Sequence, residues 1–301
     1  MKGLSLVDLA AFLQQEPEVL RAQLNREGYP GPWNQIPGAR VRSTLQQKGF
    51  QIPRKLVSFQ MLKGGVAKTT SALHFGVRAA QYGARVLMLD LDQQANLSFA
   101  LGLDASVLPV WVDVIEKKAT LSDVIVPLFE GLDLIPSNLN NSVLDRVLLN
   151  SHRNWAQSVR QPLRDLRNLY DLIVIDTAPQ LSALNAAVSV ASDLVVLPVS
   201  PDRFSLMGAR KHLEDLDQLR KEFDLQFETR VLITKFDGRE ALAREILHQC
   251  IDIFEGILMK NYVRQSAVVK GALGDKLNLF SQSGPAKEDF DAMTREIMNW
   301  V

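Results

Sequence analysis

Three groups of residues in this 301-residue chain have the types and spacing to handle phosphate and metal. The first is Lys63 to Thr70, KGGVAKTT, which follows the short apolar run Leu56, Val57 and Phe59 and leads into SALHFGVRAAQYG. The apolar run reads as a buried strand. Leu73, Gly76, Val77 and Ala80 recur at helical spacing after it, and Gly83 is placed to end that helix. A glycine loop between strand and helix points unpaired amides at an anion, and the helix dipole and the Lys68 ammonium add positive charge there. Gly64 and Gly65 let the backbone close round phosphates, and Thr69 suits a Mg2+ ion shared with them. The second group is Asp90 and Asp92, at the end of the apolar run RVLMLD. Carboxylates at the carboxyl end of a strand beside a phosphate loop lie where an open α/β sheet takes its ligand. The third is Asp176, which ends LIVI in the same way and is followed by Thr177, Ala178 and Pro179.

The ordinary phosphate-loop pattern G-x-x-x-x-G-K-[ST] fails twice, because Leu62 and Ala67 stand where its glycines belong. The segment resembles instead the deviant Walker A motif K-G-G-x-[GA]-K-[ST]-[ST] of the ParA/MinD family of partition and positioning ATPases, with Lys63 as its signature lysine. DLDQQAN is similar to the family's D-x-D-P-Q-x-N, with Gln93 in place of proline and Gln94 and Asn96 kept, and DTAP matches its switch II. The likeness covers roughly residues 50 to 300.

The resemblance implies ATP and Mg2+ as cofactors. Lys63, Gly64, Gly65, Val66, Ala67, Lys68, Thr69 and Thr70 would hold the phosphates, and Thr69, Asp90 and Asp176 the metal. Asp92 would orient or deprotonate the attacking water, with Lys63 and Lys68 as the other catalytic residues. LITKFDGR would be the strand end and loop near the adenine, giving Thr234 and Lys235 to the nucleotide. KNYVRQSAVVKGA matches a following segment in which Lys260 replaces a proline common among relatives. The family's cycle implies a homodimer on ATP that binds nonspecific DNA, is released when a ParB-like centromere-binding or adaptor protein stimulates weak hydrolysis, and works in the nucleoid-associated cytoplasm. Arg203, Arg210, Lys211, Lys260, Arg264 and Lys270 are the candidate DNA contacts.

Strands at LDLIPS, DLVVLPVS, RVLITKF and LNLF alternate with helical stretches such as 205–223 and 239–254, which implies a mostly parallel sheet with helices on both faces. Ahead of this 51–301 ATPase domain, residues 1–50 read as a small helical extension. Ser5 and Asp8 make a capping box, Pro17 opens a second helix that Gly28 ends, and RVRSTLQQKGF is a third. Residues 1–55 carry eight Lys/Arg against four Asp/Glu in a chain of zero net charge. That surplus, with Arg40 and Arg42, fits a helix-turn-helix DNA reader as well as an arm that packs on the ATPase or a second subunit.

Cys250 is the single cysteine, which excludes an internal disulfide framework and a cysteine-built metal centre within one subunit, and with it a nitrogenase-reductase-like electron carrier. No apolar run reaches transmembrane length and the N-terminus lacks a secretory h-region, so the expected setting is cytoplasmic. The tail KEDFDAMTREIMNWV places Phe290, Met293 and Ile297 on one helical face, but its charges are mainly acidic. A MinD-like membrane-positioning ATPase, the alternative reading, needs a basic helix there, so the tail is expected to pack on the core.

Overall fold

The computed structural model describes residues 3–150, 154–269, 279–281 and 283–300. Seven strands form one sheet: β1 (Lys55–Phe59), β2 (Val86–Asp90), β3 (Val126–Phe129), β4 (Leu132–Ile135), β5 (Leu172–Asp176), β6 (Leu194–Val199) and β7 (Glu228–Ile233), in the order β3-β4-β2-β5-β1-β6-β7. All pairings are parallel except β3 with β4. The inner strands β2, β5 and β6 are buried along their whole length, as continuous apolar runs covered on both faces must be. The register aligns Phe59, Asp90 and Asp176 across β1, β2 and β5, so both aspartates meet the phosphate loop at one edge.

Alternation along β1 assigns its faces. Val57 and Phe59 enter a core with the phosphate-loop helix α4 (Lys68–Gln81), whereas Leu56 joins a second core on the opposite face. The short helices α5 (Asn96–Ala100), α6 (Trp111–Ile115), α7 (Leu121–Val124), α8 (Leu144–Asn150) and α9 (Arg160–Leu163) occupy the stretch between β2 and β5. Leu144, Leu148, Leu163 and Leu166 are buried with α10 (Ala183–Ala191) in that second core. α11 (Arg203–Phe223) and α12 (Ala241–Ile253) close a third core over β6 and β7, with Cys250 buried inside it.

Helices α1 (Leu6–Phe12), α2 (Pro17–Arg26) and α3 (Gly38–Gln47) share a small core with Tyr82 of α4 and with Trp300. The fit is close where α3 starts and α4 ends. Gly83 has φ +88, and a Cβ on it would lie 2.3 Å from Gly38 O. The C-terminal helix α13 (Pro285–Ile297) packs Phe290, Met293 and Ile297 into the α4 core, as its apolar face implied.

One expectation needs correction, and one strand gave little sequence signal. Leu279 and Phe280 of LNLF form a 3₁₀ turn rather than a strand, with Phe280 packed edge-on against His74, and Leu277 and Asn278 lie outside the described residues. β3 was not read from the sequence, because four residues containing a proline carry little strand signal; Pro127 is tolerated on this antiparallel edge.

Candidate nucleotide and metal site

The phosphate loop is shaped by backbone conformations that its sequence only half announces. Gly65 has φ +76 and Ala67 φ +62, so Ala67 takes the left-handed form usually left to glycine, at a cost of about 1 kcal/mol. Val66 turns into the core over β6 and β7. Two residues from the end of β7 brace the loop from behind: Thr234 Oγ1 donates to Val66 O at 2.9 Å, and Lys235 Nζ to Gly65 O at 2.5 Å.

Lys68, at the first position of α4, is buried and reaches the end of β5. Its ammonium donates to Asp176 Oδ1 at 3.4 Å and to the carbonyl of Thr177. The Thr69 hydroxyl lies near the same carboxylate. Burial raises the pKa of Asp176, while the Lys68 charge and the nearby Thr69 hydroxyl oppose the shift. Its second oxygen, Oδ2, is buried with no partner among the described residues. An orphaned carboxylate oxygen beside a threonine hydroxyl fits a hard divalent cation whose other positions go to phosphate and water.

Asp90 stands beside Asp176 on the neighbouring strand β2. Its Oδ1 accepts from Asp92 N at 3.1 Å, and its Oδ2 from Ser98 N and Ser98 Oγ at 2.9 and 2.7 Å. Burial, helped by the Asp176 charge, pushes its pKa up to about 7 against the Ser98 hydrogen bonds. Asp92 lies on the cleft wall, and its Oδ1 accepts from Gln94 N at 2.9 Å. Ser98 escaped sequence reading because a serine inside the apolar stretch LSFA gives no sign of the strand end it serves.

The cleft holds about 620 Å3 and is lined by Gly64, Gly65, Ala67 to Thr70, Asp92, Asn96 and Lys235 among others. Lys63 lies on its wall but turns away, its Nζ 2.6 Å from Asp202 Oδ1. Val263 to Ser266 and Val269, from the segment matched to the family, complete the wall with Phe99 and Phe290.

The candidate polyanion contacts divide. Arg203 and Arg210 are exposed on α11, and Lys260 is exposed beyond β7. Lys211 is exposed but pairs with Glu214 and Asp215. Arg264 is held by Asp289 at 2.6 Å, Arg40 pairs with Glu27, and Arg42 grips Asp171 through both terminal nitrogens at 2.6 and 3.2 Å. Arg42 is spent on an internal partner, whereas Arg264, although paired with Asp289, keeps 42% of its side chain exposed. Lys270 lies outside the described residues.

The loop, the orphaned aspartate and the parallel sheet define a phosphate-loop nucleotide-binding protein. A sequence profile of the AAA domain family AAA_31 matches residues 54–229. The sporulation initiation inhibitor protein Soj of Bacillus subtilis is 30% identical over 213 residues, 69% of this chain and 83% of Soj. A ParA family protein of Chlamydia pneumoniae is 28% identical over 255 residues, 81% of this chain and 97% of that protein. A Cyanothece McdA variant, solved in complex with ATP, superposes with a TM-score of 0.75 at 22% identity, over 81% of this chain and 96% of its own. The chain belongs to the ParA family of partition ATPases.

Proposed function

We propose that the chain binds and weakly hydrolyses ATP with Mg2+, dimerises on ATP, binds nonspecific DNA as the dimer, and is released when a ParB-like or adaptor partner stimulates hydrolysis, so that plasmid, chromosome or protein cargo is positioned. The observation that carries this is the convergence of Lys68, Thr69 and Asp92 on one cleft, with the unpartnered Asp176 Oδ2 buried directly behind Lys68. Lys68 and the loop amides would hold phosphate, and Thr69 with Asp176 would hold the metal, which when bound neutralises charge on the phosphates. Asp92, on the wall beside them, is placed to orient or take a proton from water. The ATP in the McdA complex supports the choice of nucleotide.

The dimer reading draws on Lys63, which lies at the cleft on a half-exposed ion pair and is free to be exchanged. Phe204 and Met207 beside it expose 78% and 66% of their surface, of the kind a second subunit covers. Arg203 and Arg210 supply exposed charge on the same helix for nonspecific DNA, which supports the reading of a nucleoid-associated protein. No helix of the described residues is long and apolar enough to cross a membrane, and the apolar face of α13 is spent on the core.

DNA binding with ADP, ATP and a slowly hydrolysed analogue, across a salt series and beside anionic liposomes, tests the reading. Tight, steeply salt-dependent binding that needs ATP is expected. Sedimentation with liposomes and indifference to DNA at low salt overturns it.

A further inference from the structure

The carbonyls of Thr177, Ala178 and Gln180 in the loop after β5 are held by two side chains, and one of them touches no part of the cleft; the Gln180 side chain is separately tied to Asp145 Oδ2 at 3.1 Å. Thr177 O accepts from Lys68 Nζ. Ala178 O and Gln180 O both accept from Asn185 Nδ2, at 3.0 and 2.6 Å. Gln180 N also donates to Ala178 O at 2.9 Å, which closes a three-residue turn about Pro179. That turn presents Pro179 to the cleft opposite Gly64, where a Cβ would lie 3.8 Å from the proline ring.

Asn185 is 5% exposed, in the first turn of α10. Both amide hydrogens go to loop carbonyls, while its Oδ1 is buried without a partner among the described residues. A buried oxygen left unpaired costs about 1–3 kcal/mol, so an apolar residue would serve the helix and its packing better. What the asparagine adds is its grip on the loop.

We propose that Asn185 is a positioning residue for nucleotide turnover: it clamps the turn at Pro179, and the clamp decides how the loop responds when Lys68 is drawn to phosphate. The proposal rests on the nucleotide reading above. Lys68 Nζ serves Thr177 O here, and a bound phosphate competes for the same ammonium. Once it leaves, Thr177 O loses a charged donor and the present loop position loses stability. With Asn185 bonded to both carbonyls, the turn moves as one piece and carries Pro179 with it. Its free Oδ1 offers an acceptor to a backbone N–H of the shifted loop. Without the clamp, residues 178–180 vary in both states and Pro179 has no fixed place over the phosphates.

Leu181 is 73% exposed and the single cysteine, Cys250, is buried, so a Leu181→Cys protein accepts an environment-sensitive maleimide probe at the loop alone. In the otherwise unchanged protein, Mg2+ with ADP or ATP is expected to shift the probe spectrum. Asn185→Asp keeps the shape but has no hydrogens to donate, and Asn185→Leu keeps the volume should the aspartate impair folding. Either folded variant is expected to show an altered spectrum without nucleotide and a much reduced nucleotide response. Nucleotide affinity and KM should stay within about threefold while kcat falls by about tenfold or more, a split that lost stability alone does not produce. A labelled parent that binds no nucleotide overturns the reading beneath the proposal. A parent that binds nucleotide with an unmoved probe, or a folded variant with the parental response and kcat, overturns the clamp alone.

Discussion

On the dimer reading proposed above, Lys63 would have to leave Asp202 to reach a second subunit's nucleotide, and that release would set a measurable cost on dimerisation. The pair is 2.6 Å apart with side chains 36% and 35% exposed. Burial acts to raise the Asp202 pKa, but hydrogen bonds from Lys63, Ser200 and the Ser205 N–H outweigh it and hold the carboxyl below its usual range. A half-exposed pair of this kind is worth about 0–1 kcal/mol. A symmetric dimer releases two, so up to about 2 kcal/mol opposes association, or about 30-fold in the dissociation constant. Asp202→Asn removes the charge but keeps the oxygen that caps α11 through Ser205 N at 2.9 Å. The variant is therefore expected to tighten the ATP-bound dimer by about 3- to 30-fold, to leave the nucleotide-free protein unchanged, and to lose most of its advantage in 1 M salt. Sedimentation velocity across a concentration series, with a slowly hydrolysed ATP analogue, measures this directly. An Asp202→Asn dimer as weak as the parent's, or weaker, refutes the idea that Asp202 holds Lys63 in reserve.

Asp92→Ala should keep ATP binding and dimerisation but cost several kcal/mol of transition-state stabilisation, read as phosphate release; surviving turnover removes Asp92 from the chemistry. Arg42→Ala leaves the Asp171 carboxylate, 1% exposed, with Arg85 as its remaining cation, and should lower the urea-derived stability by about 1–3 kcal/mol. A loss too small to measure would mean that this contact does not fasten α3 to the core. Burial holds His74 and His212 at about 4, below the unfolded 6.5, so their contribution is present above pH 6.5 and is lost as pH falls toward 4. Each should cost about 2 kcal/mol between pH 7 and 5, and His74→Leu should remove roughly half of that acid sensitivity in urea titrations at the two pH values. Arg203→Glu with Arg210→Glu, four contacts in the proposed dimer, should flatten the salt slope of ATP-dependent DNA binding by up to about four powers; an unchanged slope places the DNA surface elsewhere.

The sheet and the phosphate loop were legible because their signals are local. Each inner strand is an apolar run, and the aspartates stand where those runs stop. Ala67 was read as a departure from the usual glycine, and its φ of +62 shows that the conformation stayed while the residue changed. What escaped was set by pairings distant in sequence. Nothing near Lys63 announces Asp202, and nothing in SALNAAV marks Asn185 as the holder of two carbonyls, because each partnership exists only once β1, β5 and β6 lie side by side. LNLF misled for the converse reason: an apolar run reports burial, and here burial is under α13 rather than in the sheet.

The N-terminal charge surplus makes the same point about composition and place. Charges counted along a sequence become a field only where their partners leave them exposed. Arg42 is spent on Asp171 and Arg40 on Glu27, while Asp8, counted with the arm, faces Arg78 of α4 and Lys287 of α13. Arg78 is 2% exposed and also bonds Asp291 at 2.6 Å, which in turn accepts from Tyr82. Phe12, Tyr82 and Trp300 meet with ring centres 5.1–5.5 Å apart, and Trp300 Nε1 donates to Gln51 O. A helix carrying the phosphate loop on one end and an arginine in its last turn can be buried nearly all round only if something supplies acids and aromatic rings on the side away from the sheet. Helices α1 to α3 and α13 supply them together, so a change that loosens the arm acts first on the phosphate-loop helix, and through Lys68 and Thr69 on the site that helix begins.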